Sequence, residues 1–340
     1  MRSEALFLVR KGDAEKAFER SEFVLPPLKN GEVIIESEAF GLNYADVMAR
    51  KGMYRDAPPM PSIIGYEMVG IVVELGPNAN PDLLGKRVVA FTRFGGYAKH
   101  VITWDYAAIS IEDMSIEDAM PLCTQAVTAY YMAEYLCPVH KGDNVLVHAA
   151  AGGVGTILIQ LAKRKGATVF AKIGDDKKAD LVKKLGADHV INYKTSNYEV
   201  EISKILKDEK LDVSFNPVSG STFKTDLRLL GSGGRLALFG ASEMSSKFGI
   251  FSMINFARKM IMGTPIGLIM TSRNILGINM LRIADDKPMV LKECLEQVVR
   301  LYNAKELIPQ SGGVYPIEQL AAAHKALESG KTTGKLIVKW

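Results

Sequence analysis

The chain has 340 residues, of which 48% are hydrophobic and 24% charged, and its formal net charge at pH 7 is +4. This length exceeds what one hydrophobic core usually supports, so two domains are expected. The small net charge, without a block of Lys or Arg, argues against a nucleic-acid partner. The three cysteines are odd in number and far apart in the sequence, which disfavours a disulfide framework and predicts buried thiols.

The first third of the chain reads as a set of short strands. Its N-terminus, MRSEALFLVRKGD, is strand-like and lacks the apolar core of a secretory signal, so a cytoplasmic protein is expected. Strand-like segments parted by Gly, Pro and Asn follow, notably residues 31–40, 67–75 and 86–91. This pattern is typical of an irregular β-barrel.

Residues 144–170 predict a buried strand, a turn of small residues, an amphipathic helix and a second strand. The turn has the spacing G-x-G-x-x-G with alanine in the first place. Small residues there let the backbone approach a pyrophosphate, which the N-terminus of the helix then holds. The alternative is a glycine-rich turn in an ordinary βα unit. We assign five residues of the turn to a dinucleotide site: Ala150, Gly152, Gly153, Val154 and Gly155.

Strands and helices alternate beyond this turn. Helices are expected at 177–185 and 200–206, and strands at 189–192, 211–215 and 235–239. Alternating βα units of this length predict an α/β domain with a parallel, doubly wound sheet.

The segment 248–283 is apolar enough to raise the question of whether it could span a membrane. Its longest uncharged run lies between Lys259 and Arg273, which is shorter than the roughly 20 residues of a spanning helix. We therefore predict no membrane span. A helix packed within the sheet domain, an apolar wall or a subunit contact is favoured over an interfacial membrane helix.

The last part of the chain predicts elements that complete sheets begun earlier. Residues 274–280 read as a late strand at the edge of the parallel sheet. A helix at 317–328 precedes a terminal strand at 335–340, which is expected to join the N-terminal barrel.

A family resemblance is carried by a series of motifs in order: GLNYADVMARKGMY at 41–54, GYEMVGIVVELG at 65–76, FGGYAKHV at 94–101, TAYY at 128–131, HAAAGGVG at 148–155, GADHVINY at 186–193 and TTGKLIV at 332–338. Together they resemble the medium-chain dehydrogenase/reductase superfamily, and within it the zinc-free quinone oxidoreductase branch. The apolar segment after Phe239 is similar to that of the vesicle-amine-transport-protein-1-like subgroup.

This resemblance implies a division into domains. A GroES-like catalytic β-barrel would comprise residues 1–126 and 283–340, and a Rossmann NAD(P)-binding domain would comprise residues 127–282. Relatives pair their late edge strands across a two-fold axis, which implies a homodimer.

The expected chemistry follows from the residues at the position of the zinc ligand. Zinc-dependent members have a Gly-His-Glu motif, whereas this chain has Gly65-Tyr66-Glu67, and tyrosine is a poor zinc ligand. The four-cysteine lobe of those relatives is also missing. We therefore expect no zinc, and reduction of acceptors that are already polarised, namely quinones or α,β-unsaturated carbonyls.

The choice of cofactor depends on the end of the second Rossmann strand. NAD enzymes usually place an acid there, and Asp175 and Asp176 are candidates, but they lie at the start of the next helix, where acids cap. The family pattern instead maps a 2′-phosphate site onto Lys178 and Tyr193, with Gly174 at the strand end. NADPH is favoured, although Lys177 and Lys178 could equally lie on a solvated helix face. NADH stays open because the two acidic neighbours would weaken a phosphate site.

The resemblance implies further contacts with the cofactor. Asn43 would contact the nicotinamide ribose, Thr128 would open a helix that faces the nicotinamide, and Phe239 with Gly240 would lie beside the ring. Lys335 would meet anionic groups of the cofactor or substrate. The chain departs from the family at Asn216, where Asp is common.

Tyr54 is the best proton donor, because relatives place a tyrosine here and a phenol stays protonated at neutral pH. An aromatic lid without a proton role is the equal alternative. Tyr54 and Asn43 are therefore the candidate catalytic residues.

Two other kinds of function stay open beside a small-molecule reductase. The chain could be a nucleotide-binding protein of little or no turnover with a structural or membrane-associated role. It could also be a carrier-linked enoyl reductase.

Overall fold

The computed structural model describes residues 1–243 and 265–340. They form two compact units: unit 1 contains Met1–Val127 and Leu281–Trp340, and unit 2 contains Thr128–Met280. In chain order the strands of the described residues are β1 Arg2–Leu8, β2 Phe18–Val24, β3 Glu32–Leu42, β4 Ser62–Ile63, β5 Glu67–Leu75, β6 Arg87–Phe91, β7 His100–Trp104, β8 Ala108–Ser110, β9 Asn144–Val147, β10 Thr168–Ile173, β11 His189–Asn192, β12 Leu211–Asn216, β13 Leu230–Leu238, β14 Asn274–Gly277, β15 Ser311–Pro316 and β16 Lys335–Lys339.

Unit 1 is built on two sheets. Strands β2, β1 and β4 form a small antiparallel sheet, and the larger sheet has the order β15-β16-β3-β5-β6-β8, with β7 also paired to β3. Its α-helices in the described residues are Ala14–Ala17, Tyr44–Arg50, Ile116–Pro121, Pro288–Asn303 and Leu320–Glu328.

The terminal strand β16 pairs antiparallel with β3, placing Leu336 opposite Leu42 and Val338 opposite Phe40. All four side chains are fully buried. The prediction that the last strand completes the N-terminal sheet is therefore confirmed, and the GroES-like fold with it.

Unit 2 contains one parallel sheet with the order β11-β10-β9-β12-β13-β14. Numbered from its own first strand this is 3-2-1-4-5-6, the order of a doubly wound dinucleotide-binding sheet, so the predicted α/β class is confirmed. The α-helices that lie among these strands are Gly153–Arg164, Ala179–Lys184, Tyr198–Leu206, Phe223–Leu229 and Pro265–Thr271. A further helix, Val127–Tyr130, lies at the first boundary of the unit and another, Met280–Asp286, at the second.

The apolar residues of the first βα unit are continuous in the strand and recur at helical spacing in the helix that follows it. All four residues of β9 are buried, as a central parallel strand requires. The helix Gly153–Arg164 buries Ile157, Leu158, Leu161 and Ala162, which lie on one stripe at helical spacing.

Several boundaries differ from those predicted. Strand β13 begins at Leu230 and ends at Leu238, so Phe239 lies just beyond it. The helix Phe223–Leu229 was not predicted at all. It has only seven residues, and Asp226 belongs to its buried face, so its hydrophobic period is interrupted by a carboxylate.

The apolar segment is described only in part. Its first part, residues 248–264, lies outside the described residues. In the helix Pro265–Thr271 the side chains of Ile266, Ile269 and Met270 are 70 to 82% exposed. These three side chains are therefore not packed against unit 2, and a wall or subunit contact for this helix stays a prediction. Within residues 1–243 and 265–340, the helices all fall short of the length and apolarity that a membrane span requires.

The cysteines occupy the interior. Cys123, Cys137 and Cys294 are free thiols and all are buried. Burial raises the pKa of Cys137 and Cys294 to about 12, which keeps both as thiols at neutral pH. Their predicted role as small hydrophobic side chains is confirmed.

The edge strand β14 generates a test of the proposed dimer. The N–H of Ile278 donates to the carbonyl oxygen of Leu238 at 2.9 Å, so by strand alternation the N–H of Gly277 points away from β13. If two β14 strands pair, Gly277→Pro should remove an edge donor and give monomers in light scattering. Gly277→Ala is the matched control, because nothing lies within 4 Å of its added Cβ. A monomeric wild type would end the dimer proposal.

Candidate functional site

The predicted cofactor residues of unit 2 meet at one edge of its sheet. The glycine turn follows β9, Gly174 follows β10 and Tyr193 follows β11, while Gly240 lies two residues past the end of β13. The carboxyl ends of parallel strands form the crevice in which open α/β sheets bind ligands. The fold therefore brings together segments that are up to 90 residues apart in the sequence.

The glycine turn is held by backbone hydrogen bonds. Ala149 has φ of +47°, and the N–H of Ala150 donates to the carbonyl oxygen of Lys172 at 3.1 Å. Gly152 is the N-cap of the helix Gly153–Arg164 and makes no side-chain cap. Because an α-helix leaves its first N–H groups without intrahelical partners, they are available to an anion.

The two glycines at the second and third places of the motif, Gly152 and Gly155, have different structural roles. A Cβ at Gly152 would meet only the carbonyl oxygen of Ala149, at 3.1 Å. A Cβ at Gly155 would lie 2.5 Å from that oxygen and 2.8 Å from the Cα of Ala150. Gly155 thus permits helix–strand packing, whereas Gly152 leaves open space at the N-terminus of the helix. This cradle fits a pyrophosphate.

Tyr193 and Gly174 lie against each other beyond β10, and Lys178 ends the short helical turn Asp176–Lys178 that follows Gly174. A Cβ at Gly174 would be 2.7 Å from the Oη of Tyr193, so the phenol covers that backbone. The Tyr193 ring is 51% exposed. Burial lowers the pKa of Lys178, which is half-buried, while Asp175 acts in the opposite direction.

The two acids of this segment bind groups of the protein. The Oδ1 of Asp175 accepts from the N–H of Lys177 at 3.0 Å and caps the following turn, the role proposed for it above. The Oδ1 of Asp176 accepts from the Nδ2 of Asn192 at 2.9 Å.

Asn216, the departure from the family pattern, has a clear structural role. Its Nδ2 donates to Asp226 at 2.6 Å and to Thr222 at 2.7 Å, both in the interior. Its Oδ1 accepts from the N–H groups of Val218 and Ser219. An ionised aspartate at this position could not donate to Asp226, so the amide orders the loop after β12.

The residues that follow β13 are held by the same loop. The N–H of Phe239 donates to the carbonyl oxygen of Asn216 at 3.2 Å, and the carbonyl oxygen of Gly240 accepts from the Oγ of Ser219 at 2.7 Å. Thr128, in the helix Val127–Tyr130, is 9% exposed.

In unit 1, Asn43 is fixed by a buried ion pair. Glu67 and Lys335 pair through Oε1 and Nζ with no side-chain exposure. The Nδ2 of Asn43 donates to Glu67 at 2.7 Å, and Lys335 donates to the Oδ1 of Asn43 at 2.8 Å. The N–H of Thr124 donates to the second oxygen of Glu67 at 2.8 Å. The ammonium group of Lys335 therefore orients Asn43 within unit 1.

Asp46 lies beneath Asn43 and completes its capping box. Its Oδ2 accepts from the N–H of Asn43 at 2.7 Å. Full burial raises the pKa of Asp46 to about 7, against the lowering effects of that hydrogen bond and of Lys335. These contacts fix the turn between β3 and the helix Tyr44–Arg50.

The candidate proton donor Tyr54 belongs to an aromatic cluster. Its ring lies edge-on to Tyr66, with centroids 6.3 Å apart, and Tyr66 lies 5.2 Å from Phe94. Burial raises the pKa of the Tyr54 phenol, with a further contribution from Asp56. Tyr54 therefore stays protonated at neutral pH.

Tyr66, at the zinc-ligand position of the relatives, is only 4% exposed. Burial raises the pKa of its phenol far above the ordinary value, followed by Asp46 and Tyr54. Tyr54 is close enough to affect that pKa, yet no group in the part of the chain that the structure describes meets hydrogen-bond geometry with the Tyr66 Oη. Within the same residues, no group of three or more His, Cys, Asp or Glu side chains could hold a metal ion.

Sequence reasoning missed some residues of both units. Glu67 was considered only as part of the zinc motif, although an acid that starts a buried strand requires a cationic partner. Lys172, His148 and Asp226 were not assigned to the site, and they are buried together beneath the sheet edge of unit 2.

The unpaired hydroxyl of Tyr66 generates a stability prediction. Burial of an unpaired hydroxyl costs about 1–3 kcal/mol, so Tyr66→Phe should raise the urea midpoint of unit 1. Tyr97→Phe is the matched control, because the Tyr97 hydroxyl lies 3.0 Å from the Nε2 of His324 in the same interior. That variant should lower the midpoint. A loss of stability in both variants would show that Tyr66 has a partner.

Family comparisons cover most of the chain. The family model described as alcohol dehydrogenase GroES-like domain matches residues 29–113, and that described as zinc-binding dehydrogenase matches residues 153–287. The first match lies within unit 1, and nearly all of the second lies within unit 2.

Individual relatives extend the similarity to nearly the full length. The synaptic vesicle membrane protein VAT-1 homolog of Mus musculus is 29% identical over 338 residues, which are 98% of this chain and 82% of that protein. The structure of Escherichia coli quinone oxidoreductase complexed with NADPH has a TM-score of 0.85 with this chain, with 26% identity and coverage of 99% of this chain and 100% of that one. A highly reducing polyketide synthase of Gibberella zeae is 30% identical over 95% of this chain, which corresponds to 13% of that protein. With both domain models matched in order and the two-sheet architecture present, the chain belongs to the medium-chain dehydrogenase/reductase superfamily of oxidoreductases.

Proposed function

We propose that the protein is a zinc-independent, NADPH-dependent reductase of quinones or α,β-unsaturated carbonyls. The observation that supports the proposal is the sheet edge of unit 2, where an open glycine turn follows β9 and where Lys178 and Tyr193 follow β10 and β11. The E. coli quinone oxidoreductase complexed with NADPH, 26% identical to this chain, supports the cofactor and the acceptor class. Residues 127–282 would bind the dinucleotide, and residues 1–126 and 283–340 would serve catalysis.

The residues of unit 2 fit the cofactor group by group. The N–H groups at the start of the helix Gly153–Arg164 would hold the pyrophosphate, since Gly152 leaves room for it. Lys178 and Tyr193 would flank the 2′-phosphate, as a charge-assisted contact and a covering ring. Asp175 and Asp176 already accept hydrogen bonds from the protein, which favours NADPH over NADH.

In unit 1, Tyr54 and Asn43 would serve the reaction. NADPH, when bound, would supply a hydride. Tyr54, kept protonated by its raised pKa, would donate a hydrogen bond or proton to the substrate oxygen on which negative charge develops. Asn43 is held by Glu67 and Lys335 and would position a ribose without reorganisation of its side chain.

Zinc independence is supported by the residue at the ligand position. Tyr66 is buried among aromatic rings, and its raised pKa opposes the phenolate form that a metal would require. The acceptor must therefore be one that is polarised without a Lewis acid, as quinones and conjugated enones are. A homodimer, a small-molecule substrate and a cytoplasmic location complete the proposal.

Carrier-linked enoyl reduction is the second candidate. The polyketide synthase of Gibberella zeae matches 95% of this chain at 30% identity. An enoyl thioester is also an activated, polarised acceptor, so the same residues could serve it. A nucleotide-binding protein without turnover is the third alternative, and the VAT-1 relative supports a vesicle-associated version of it.

A turnover assay separates these three functions. Purified protein with NADPH or NADH is tested with quinones, simple enones and an enoyl thioester, and loss of cofactor absorbance is followed. We expect turnover with quinones or enones and a higher kcat/KM for NADPH. Turnover confined to the thioester would favour the enoyl reductase. Tight NADPH binding without any turnover would overturn the enzyme proposal.

The two glycines of the turn give a matched test of the cradle. Gly152→Val should abolish NADPH binding and leave the protein folded, because the added side chain enters the open space meant for the pyrophosphate. Gly155→Val should instead destabilise unit 2, since a Cβ there would lie 2.5 Å from the carbonyl oxygen of Ala149. Fluorescence titration and circular dichroism measure the two effects. Unchanged NADPH affinity in folded Gly152→Val protein would remove the turn from the proposed site.

A further inference from the structure

A buried lysine lies at the sheet edge of unit 2, two residues before Gly174. Lys172 is only 6% exposed, and neither the glycine turn nor the proposed reaction explains it. Its Nζ is 3.3 Å from the Nδ1 of His148 and 3.7 Å from the ring centroid of Tyr198. A lysine is almost never buried unless its charge is compensated, so the compensating group must be nearby.

The compensation reaches Lys172 through His148. The Nε2 of His148 lies 2.9 Å from one oxygen of Asp226 and 3.1 Å from the other. Because an ammonium can only donate, Nδ1 must accept from Lys172, and Nε2 must carry the proton that it donates to Asp226. A neutral His148 therefore connects a buried cation to a buried carboxylate.

The carboxylate of Asp226 has several hydrogen-bond donors besides His148, and none of them depends on Lys172. Asp226 also accepts from the Oγ of Ser214 at 2.8 Å, the Nδ2 of Asn216 at 2.6 Å and the Oη of Tyr198 at 2.9 Å. Burial would raise the pKa of Asp226, but His148, Ser214 and Tyr198 hold it below the ordinary value. Stabilising Asp226 therefore does not by itself require a lysine at position 172.

The ammonium group of Lys172 also lies close to Tyr193, a residue of the predicted phosphate site. Its Nζ is 5.2 Å from the ring centroid of Tyr193, within the range of a cation–π contact. Tyr193 is anchored by its N–H, which donates to the carbonyl oxygen of Ile173 at 3.0 Å. Its half-exposed ring covers Gly174. Lys172 thus lies between the inner Tyr198 and the outer Tyr193.

We propose that Lys172 is a positioning residue for recognition of a 2′-phosphorylated adenine nucleotide, acting through Tyr193. The ammonium holds the Tyr193 ring over Gly174 through the cation–π contact. A ring fixed in advance loses less side-chain freedom when the phosphate binds. This inference rests on the proposed NADPH-binding function, which it extends from the half-buried Lys178 to a second, buried cation.

A pH dependence follows from the groups that face Lys172. His148, Asp226, Tyr198 and Tyr193 surround it, and Lys178 lies on the neighbouring turn. Burial lowers the pKa of Lys172 to about 8, with Asp226 opposing. Burial lowers the pKa of His148 and raises that of Tyr198, so neither changes charge near pH 8. Affinity for the 2′-phosphate should fall as the pH rises through the pKa of Lys172, because the cation is lost while the phosphate remains a dianion.

The experiment compares 2′,5′-ADP with 5′-AMP, which differ only in the 2′-phosphate, by calorimetry on the full-length protein. Lys172→Met keeps an apolar stem and removes the charge. It should weaken 2′,5′-ADP binding about tenfold and change 5′-AMP binding less than about twofold, since charge-assisted contacts are worth about one decade of affinity. Lys177→Met removes an exposed lysine five positions later and is the charge-matched control, which should change neither ligand.

Tyr193→Leu tests whether Lys172 acts through the ring. The double variant of Lys172→Met and Tyr193→Leu should bind 2′,5′-ADP no more weakly than Tyr193→Leu alone. The dependence of 2′,5′-ADP affinity on pH near pH 8 should vanish in each of the two single variants. It should persist in Lys178→Ala, which removes only the half-buried cation beyond β10.

The outcomes separate this inference from the proposed function. A wild type that does not bind 2′,5′-ADP overturns NADPH recognition itself. A wild type that binds it with unchanged affinity in Lys172→Met overturns the role of Lys172. Equal weakening of both ligands with a lowered melting temperature would give Lys172 a role in folding alone, and so would overturn the inference. If the Lys172→Met variant does not fold, the wild type alone tests the inference. An affinity for 2′,5′-ADP that does not change with pH near pH 8 would overturn it.

Discussion

The buried pair between Glu67 and Lys335 is the contact on which unit 1 depends most. It joins residues 268 positions apart, at the start of β5 and the start of β16, with β3 between these strands. Either charge alone would be costly in this interior, so each is stable only while the other is present. The pair therefore links the closure of the sheet to the orientation of Asn43. Fold and candidate site share the same hydrogen bonds.

Unit 2 repeats this arrangement with different residues. Asp226 is a buried carboxylate that accepts from several donors, and His148 links it to Lys172. In both units a compensated charge lies directly beneath residues proposed to meet the cofactor. Buried polar networks that are fully satisfied hold their members in one geometry, which is the condition for binding or catalysis without reorganisation. Charge burial is the feature that the two units share.

The sequence predicted those elements whose apolar residues follow one clear period. β11 has the bounds that were predicted, and β9 and the helix Gly153–Arg164 lie within residues 144–170, where a buried strand and an amphipathic helix were predicted. The helix Phe223–Leu229 was missed because a carboxylate occupies its buried face. The start of β13 was misplaced because Gly231, Gly233 and Gly234 read as a turn, although parallel pairing with β12 draws Leu230 into the strand. In these cases neighbouring elements overrode the local preference.

The amino-acid order alone determined the fold class, the glycine turn and the absence of a histidine at the zinc-ligand position, because each depends on residue type and spacing within a short segment. It also placed Lys178 and Tyr193 as candidates through the resemblance. Only the tertiary structure decided which buried charges are partners. Glu67 meets Lys335, and Lys172 meets Asp226 through His148, across separations that no local pattern encodes. Such pairs form because the fold removes each charge from water, and that removal exists only once distant strands and helices have packed together.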